Sequence, residues 1–425
     1  MSAPATIDIP APPVESVDTR RRRRATGAFL LVLALVLLAL GIAATDGRAR
    51  IALTSTFSDP PVSLPGSAIV VTCGLVAVAV AALQLRGRLA GVVHSLLMIL
   101  FAFAMVVGFI VWSASGRELP FQLINQLQQT ITLAVPLVFG ALSGSVGERA
   151  GVINVAIEGH FLAAAFSSAL VASITGSLVA GVVAAVVAGV AMAMLLGVFA
   201  LKYRVNQVVL GVVLNVLASG ITGFLYDQLM QSAQDKYNTG NVMAALEIPV
   251  LGRLPFLGPV LFNQSPLTYL CYVAVPAVFI ALYKTQWGLR VRAVGEHPGA
   301  ADTVGIRVDA TRYGALVVAG TLAGLGGAFF TIGFNGGFGK DMTAGYGFIA
   351  LAAVIMGRWH PLTAAGMALF FGFVNQLQQQ VALLETPIPQ QVLQMLPYLA
   401  TIVAVAGLVG RVRAPAADGQ PYVKA

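Results

Sequence analysis

Apolar residues recur in long unbroken runs separated by short polar connections over most of the chain. The runs at 25–45, 66–85, 89–113 and 176–200 each reach about 20 residues, the length an α-helix needs to cross roughly 30 Å of hydrocarbon. Backbone groups in lipid have no water to bond, so such runs must be helices. The same reading carried along the chain predicts about twelve spans, near 25–45, 66–85, 89–113, 126–146, 151–172, 176–200, 206–226, 267–284, 312–332, 343–357, 361–383 and 391–410. The expected fold is an all-α polytopic membrane helix bundle of about twelve transmembrane helices. Residues 1–24, rich in Pro, Ala and Arg and without an apolar period, read as a disordered tail.

Composition agrees. The 425 residues are 58% hydrophobic and only 10% charged, more apolar surface than one soluble core of this length could hide. A secreted soluble protein is excluded because the first run exceeds a signal-peptide core and many more follow. For the same reason Arg20–Arg24 does not mark a twin-arginine export signal. The net charge of +8 does not point to nucleic acid, since the basic residues are dispersed over short connections and form no stripe. They sort by side instead. With the N-terminus inside, only Arg48, Arg50, Arg117, Lys236, Arg253 and Lys340 of the 25 Lys and Arg residues fall on outer connections. That asymmetry predicts a cytoplasmic-membrane protein with both termini cytoplasmic. Cys73 and Cys271 lie inside apolar runs and read as packing residues rather than a disulfide.

Two connections are long. The outer one, 227–266, carries Pro249, Pro255, Pro259 and Pro266 and suits a cap or docking surface. The inner one, 285–311, is the most charged stretch between spans. Glycines 320, 324 and 327 in the following span would let neighbouring helices approach closely.

Enzymatic chemistry has no visible seat. Gly339-Lys340 is followed by Asp341 and lacks the upstream glycine of a phosphate loop, so ATP is not bound that way. His94, His160, His297 and His360 are scattered with no metal-ligand spacing, and no metal is expected. There is no G-x-S-x-G elbow and no carboxylate pair within one span. Asn154 and Glu158 fall one helical turn apart if 151–172 is helical, with Glu158-Gly159 about seven residues into the span. An acid there costs on the order of 3 kcal/mol, so it must face protein or water: a structural carboxylate or part of a translocation path. Gln207, Gly211, Asn215 and Ser219 make a small polar stripe that either lines a cavity or packs on another helix. The amides of 125–129 and 375–380 stand at predicted outer span ends, where they wet the interface or touch a solute. In 290–306, a turn at Gly295–Pro298 leads into a short helix with Pro298 at its first position and Gly305 past its end. Such a projecting helix is either an ordinary amphipathic loop or a grip for a separate motor subunit.

Gly147-Glu148-Arg149 with Asn154 and Glu158-Gly159, together with Ala293–Pro298, Ala301 and Gly305-Ile306, resemble the signature segments of ATP-binding-cassette importer permeases of the branched-chain amino acid, ribose and nucleoside superfamily. Gly357–Pro361 and the tail Arg413–Tyr422 are similar to its nucleoside branch, which works with basic-membrane-protein lipoproteins. The resemblance covers about 122–424, leaving 25–121 as an N-terminal extension of about three helices before a type II-like core of 122–413 and a cytoplasmic tail of 414–425. It implies a nucleoside permease paired with a second permease, a cytoplasmic ATPase with two nucleotide-binding domains and an external substrate-binding lipoprotein. ATP is then bound by the partner and no cofactor by this chain. It also implies that 293–306 is the coupling segment, with Gly295, Glu296, His297, Pro298, Ala301 and Gly305 in that role, and that replacing Gly295 or Glu296 uncouples hydrolysis from uptake. Asn154, Glu158, Gly159, Gln207, Asn215 and Ser219 remain the candidates for a translocation path. The residues leave open a permease for sugars or branched-chain amino acids, and an ion-coupled secondary transporter, for which Glu158 is the one clear mid-span acid. A membrane enzyme acting on lipid precursors would need clustered acids or histidines, which the sequence lacks.

Overall fold

The computed structural model describes residues 17–43, 47–53, 60–86, 91–403 and 413–424. Its chain divides into two compact units, the first built mainly from residues up to Phe121 and the second mainly from Gln122 onward.

The first unit holds three long apolar helices, α1 (Val17–Ala43), α2 (Gly66–Arg86) and α3 (Gly91–Ala114). A hairpin of β1 (Arg48–Ala52) and β2 (Val62–Pro65) follows α1, antiparallel with Arg48 opposite Pro65. Leu30, Ala34, Ala77, Val80, Ala81 and Phe101 form its core. Residues 17–24, expected in an irregular tail, are instead the opening turns of α1, because the apolar run behind them propagates a helix already nucleated.

The second unit contains α4 (Leu123–Arg149), α5 (Ile157–Thr175), α6 (Leu178–Gly197), α7 (Gln207–Leu225), α8 (Gln234–Tyr237), α9 (Pro266–Lys284), α10 (Gln286–Glu296), α11 (Pro298–Thr303), α12 (Val308–Ala328), α13 (Tyr346–Met356), α14 (Pro361–Leu383), α15 (Gln390–Gln394) and α16 (Leu396–Val403). α4 is its axis, buried over most of its length with α12 and α14 packed along it. The glycine prediction holds in detail. α6 and α12 meet so closely that a Cβ at Gly324 would lie 2.6 Å from the Ala185 carbonyl oxygen, and one at Gly327 2.7 Å from that of Phe161 on α5.

Among the described residues, nine helices are long and apolar enough to cross a membrane: α1 to α7, α9 and α12. The remaining three expected spans differ in an instructive way. α14 has the length, at 23 residues, but carries the amide cluster Asn375–Gln380. The 391–410 span is described as two short helices that part at Met395, and 404–412 lie outside the described residues. The 343–357 span shortens to α13, whose 11 residues rise only about 16 Å, while 336–345 is irregular backbone. The polar groups of this irregular backbone need partners outside a helix, and the site below supplies them.

The fifth span also starts late. Residues 151–156, read as helical, are a turn, because Gly151 takes φ +85° and breaks the run. Asn154 therefore shares no helical face with Glu158, and Glu158 opens α5 rather than standing seven residues inside it.

Candidate functional site

Two clusters hold the residues singled out in the sequence. The first gathers at the end of the second unit where α4 stops. Gly295, the penultimate residue of α10, presses on the end of α4 so tightly that a Cβ there would lie 2.1 Å from the Arg149 carbonyl oxygen. Only glycine fits. Glu296 next to it faces Arg149 at 3.9 Å and is about half exposed, while its other oxygen accepts the Ala416 N–H at 3.3 Å. His297 ends α10 and caps α11, its Nδ1 accepting the Ala300 N–H at 3.1 Å. Pro298 takes the first position of α11, Ala301 is its buried anchor, and Gly305 turns the chain away with φ +85°. The short helix and its stops are thus as the sequence reading had them.

Around this joint the structure adds residues that the sequence left unassigned. Arg312, fully buried at the start of α12, donates Nε to the Ala150 carbonyl and Nη1 to that of Gln420, each at 3.2 Å. The buried Glu148 carboxylate accepts the Trp359 indole N–H, and Arg149 donates to the carbonyls of Trp359 and Arg358 at 3.0 and 3.1 Å. Arg358 and Trp359 both have left-handed backbones, at φ 55° and 53°, which turn the indole back onto Glu148. The C-terminal segment lies on the same joint, with Ala417 N–H to Gly295 O at 2.9 Å and Gly419 N–H to Gly151 O at 3.2 Å. Burial pushes the Asp418 carboxyl up to about 7, against the opposing pull of Arg312 and the Gly419 N–H. An arginine inside the first turn of an apolar span was the one sequence signal for Arg312.

The second cluster lies deeper in the helices. Glu158 is buried and accepts three hydrogen bonds: from Thr343 Oγ1 at 2.6 Å, Gly345 N–H at 2.8 Å and Gly347 N–H at 2.6 Å. These are the orphan donors at the start of α13, so Glu158 caps the broken helix from across the bundle. The first turn of α5 and the first turn of α13 both turn their positive dipole ends to this one carboxylate. Asn238 completes the support of 336–345, pairing both amide atoms with the Phe338 backbone at 2.7 and 2.9 Å.

The α7 stripe packs on neighbouring segments. Gln207 accepts the Ile153 N–H at 2.8 Å, and Gly211 meets Val155 and Ala156. Asn215 accepts the Gly159 N–H at 2.8 Å and donates to Val155 O at 3.0 Å. Ser219 donates to Asp341 Oδ1 at 2.6 Å. The stripe therefore serves the polar backbone of the 151–159 turn and reaches the 336–345 segment. Asn154 is buried within that turn. Two of the amides tie α14 to the start of α4: Gln126 donates to Phe373 O and Gln380 to Gln122 O, while Gln379 is exposed.

Among the cavities of the second unit, two lie beside the elements named above. One, of about 310 Å³, is lined by Trp287, Arg290, Val304–Arg307, Ala310 and Thr311 beside α11. The other, of about 340 Å³, is an apolar groove among α4, α9 and α14. None of the six path candidates lines either.

Comparison with known proteins gives a consistent result. Residues 126–406 match the family described as the permease component of the branched-chain amino acid transport system. The guanosine ABC transporter permease protein NupQ of Bacillus subtilis is 39% identical over 312 residues, covering 69% of this chain and 95% of the relative. The nucleoside ABC transporter permease protein NupC of Lactococcus lactis is 34% identical over 315 residues, 71% of this chain and 98% of the relative. A putative glucose ABC transporter permease protein of Haloferax volcanii, TsgC13, is 31% identical over 307 residues, 67% and 92% respectively. No solved structure matches.

Proposed function

The chain belongs to the permease family of the branched-chain amino acid transport system, and from that membership we propose that it is the membrane-spanning permease of an ATP-binding-cassette importer for nucleosides. The observation that carries the mechanism is the α10–α11 joint: a short exposed helix whose base is seated on the end of α4 through Gly295. A permease of this family takes its energy from a separate ATP-binding subunit, and α11 offers that subunit a handle. ATP binding by a cytoplasmic partner with two nucleotide-binding domains moves α11. The motion passes through Gly295 and Arg149 into α4, and the bundle alternates between outward and inward openings. A second permease completes the pathway, and an external binding lipoprotein delivers the solute. The excess of Lys and Arg on the connections at the α11 side orients that side and both termini to the cytoplasm.

Nucleosides are favoured over glucose by the higher identity to the guanosine and nucleoside permeases. Ion-coupled transport is disfavoured because Glu158, the mid-bundle acid it would use, already receives three protein donors. The test is uptake of labelled guanosine into proteoliposomes holding the whole transporter. Accumulation that requires ATP and ignores imposed proton or sodium gradients is expected; accumulation by this chain alone, driven by a gradient, would sink the proposal.

A further inference from the structure

The family reading accounts for α11 but gives no work to the C-terminal segment. We propose that residues 415–424 are a working part of the coupling machinery, a strap that binds the α10–α11 joint to the α4–α5 turn so that motion of α11 reaches the membrane helices. This rests on α11 being the coupling helix.

Three features of the contact support it. First, the strap touches both sides of the joint. On the α10–α11 side, Ala417 N–H bonds Gly295 O, Ala416 N–H bonds Glu296 Oε2, and Tyr422 packs on the small core of Val294, Ala301 and Val308. On the α4–α5 side, Gly419 N–H bonds Gly151 O, and Arg312 ties Gln420 O to Ala150 O. Second, those bonds are the ones the joint needs. Gly295 O is among the last carbonyls of α10, which have no partner within their own helix. Third, the joint is weak without it. α11 has six residues, too few to hold itself, and buries only Ala301. The direct Arg149–Glu296 pair is long, and one partner is half exposed, so it stabilises little. A push on α11 against such a base would bend the joint; a push on a strapped joint displaces α4, α5 and α12 together.

Most of the strap's hydrogen bonds use its backbone atoms, and one glycine among them gives a way to detach it. Gly419 has φ +75°, and a Cβ there would stand 2.6 Å from Ile153 Cδ1, so Gly419→Val dislodges the strap while keeping the full chain.

The experiment compares wild type, Gly419→Val and a chain ending at residue 412, each in the complete transporter reconstituted in liposomes. ATP hydrolysis and guanosine uptake are measured in the same vesicles. Hydrolysis within about twofold of wild type is expected, with uptake per ATP reduced at least about tenfold, and partial recovery when a 413–425 peptide is added to the truncated complex. Should truncation prevent assembly, Gly419→Val supplies the same ratio in a full-length chain. Wild-type uptake per ATP in either variant overturns the strap, as does a parallel loss of hydrolysis and uptake that the peptide does not restore. A wild-type complex that hydrolyses ATP without uptake would instead overturn the coupling reading beneath it.

Discussion

Glu148 and Glu158 stand at either end of the same turn, one closing α4 and the other opening α5, and the chain uses them in opposite ways. Glu158 is bound by three short hydrogen bonds from one continuous stretch, Thr343 to Gly347, and welds α13 to α5. Glu148 sits in a joint assembled from separate pieces: the Trp359 loop, the α10–α11 corner, the foot of α12 and the strap. Beyond the Trp359 bond, that joint's hydrogen bonds run from 2.9 to 3.3 Å and its Arg149–Glu296 pair is 3.9 Å long, against 2.6 to 2.8 Å at Glu158. The first contact ties a short helix rigidly into the bundle, and the second is the seat of the proposed coupling helix, where some give is an advantage.

The stiff site should break hardest. Glu158→Ala leaves a hydroxyl and two backbone N–H groups buried without acceptors, each a charge-assisted bond lost. Such losses cost about 1.5–3 kcal/mol apiece when independent, and an overall destabilisation of about 3–5 kcal/mol is expected from denaturation in detergent. Glu158→Gln keeps two acceptor positions at best and should cost less than half as much. Equal, small effects of the two would show that α13 does not depend on its cap.

Gly295→Ala tests the yielding site at its tightest point. The added carbon overlaps the Arg149 carbonyl, so α10 must lift from α4. Uptake per ATP is expected to fall at least about tenfold while the detergent-solubilised protein unfolds within about 1–2 kcal/mol of wild type, because the overlap is relieved by lifting α10 and leaves the packing of α4 with α12 and α14 in place. A loss of stability as large as that of Glu158→Ala would erase the distinction between the two sites.

The same contrast explains what could be read in advance. Spans, the α6–α12 glycine seam and the α11 stops are local patterns of hydropathy, size and turn residues, so the sequence displays them. The α4–α5 turn was hidden because Val152, Ile153, Val155 and Ala156 are apolar enough to pass as helix; only Gly151 marked the break. The polar stripe of α7 was visible, but its partners are backbone groups of that hidden turn. Glu158 was conspicuous as a buried acid, yet Thr343, Gly345 and Gly347 carry no mark that ties them to it across so much sequence. The strap is Ala-, Pro- and Gly-rich and binds through its backbone, which a reading of side chains passes over.

Asp418 gives the joint a pH dependence. Its carboxyl sits near 7 when the strap is docked, against an ordinary value of 3.8 when free. The docked state thus favours the proton: docking is strongest at low pH, weakens as pH rises from about 4 towards about 7, and is level above. Asp418→Asn should remove the slope and strengthen docking at pH 7.5 by several-fold, read as release of a fluorophore placed at residue 425. A steeper slope in the variant would contradict the burial of this carboxyl as its cause.

The smallest effect belongs to Glu296. Its pairing with Arg149 is 3.9 Å long and its side chain is 55% exposed, so solvent screens most of the attraction. Glu296→Gln retains an oxygen for the Ala416 N–H and removes only the charge. Stability should therefore change by less than about 0.5 kcal/mol, and raising the salt should change it no further. Uptake per ATP is the informative readout beside it. A fall in that ratio with unchanged stability is the expected outcome and supports the proposal that this exposed charge is recognised by the ATPase. A fall in stability comparable to Gly295→Ala would instead mean that the ion pair holds the joint closed, and the contrast between a welded and a yielding carboxylate site would no longer stand.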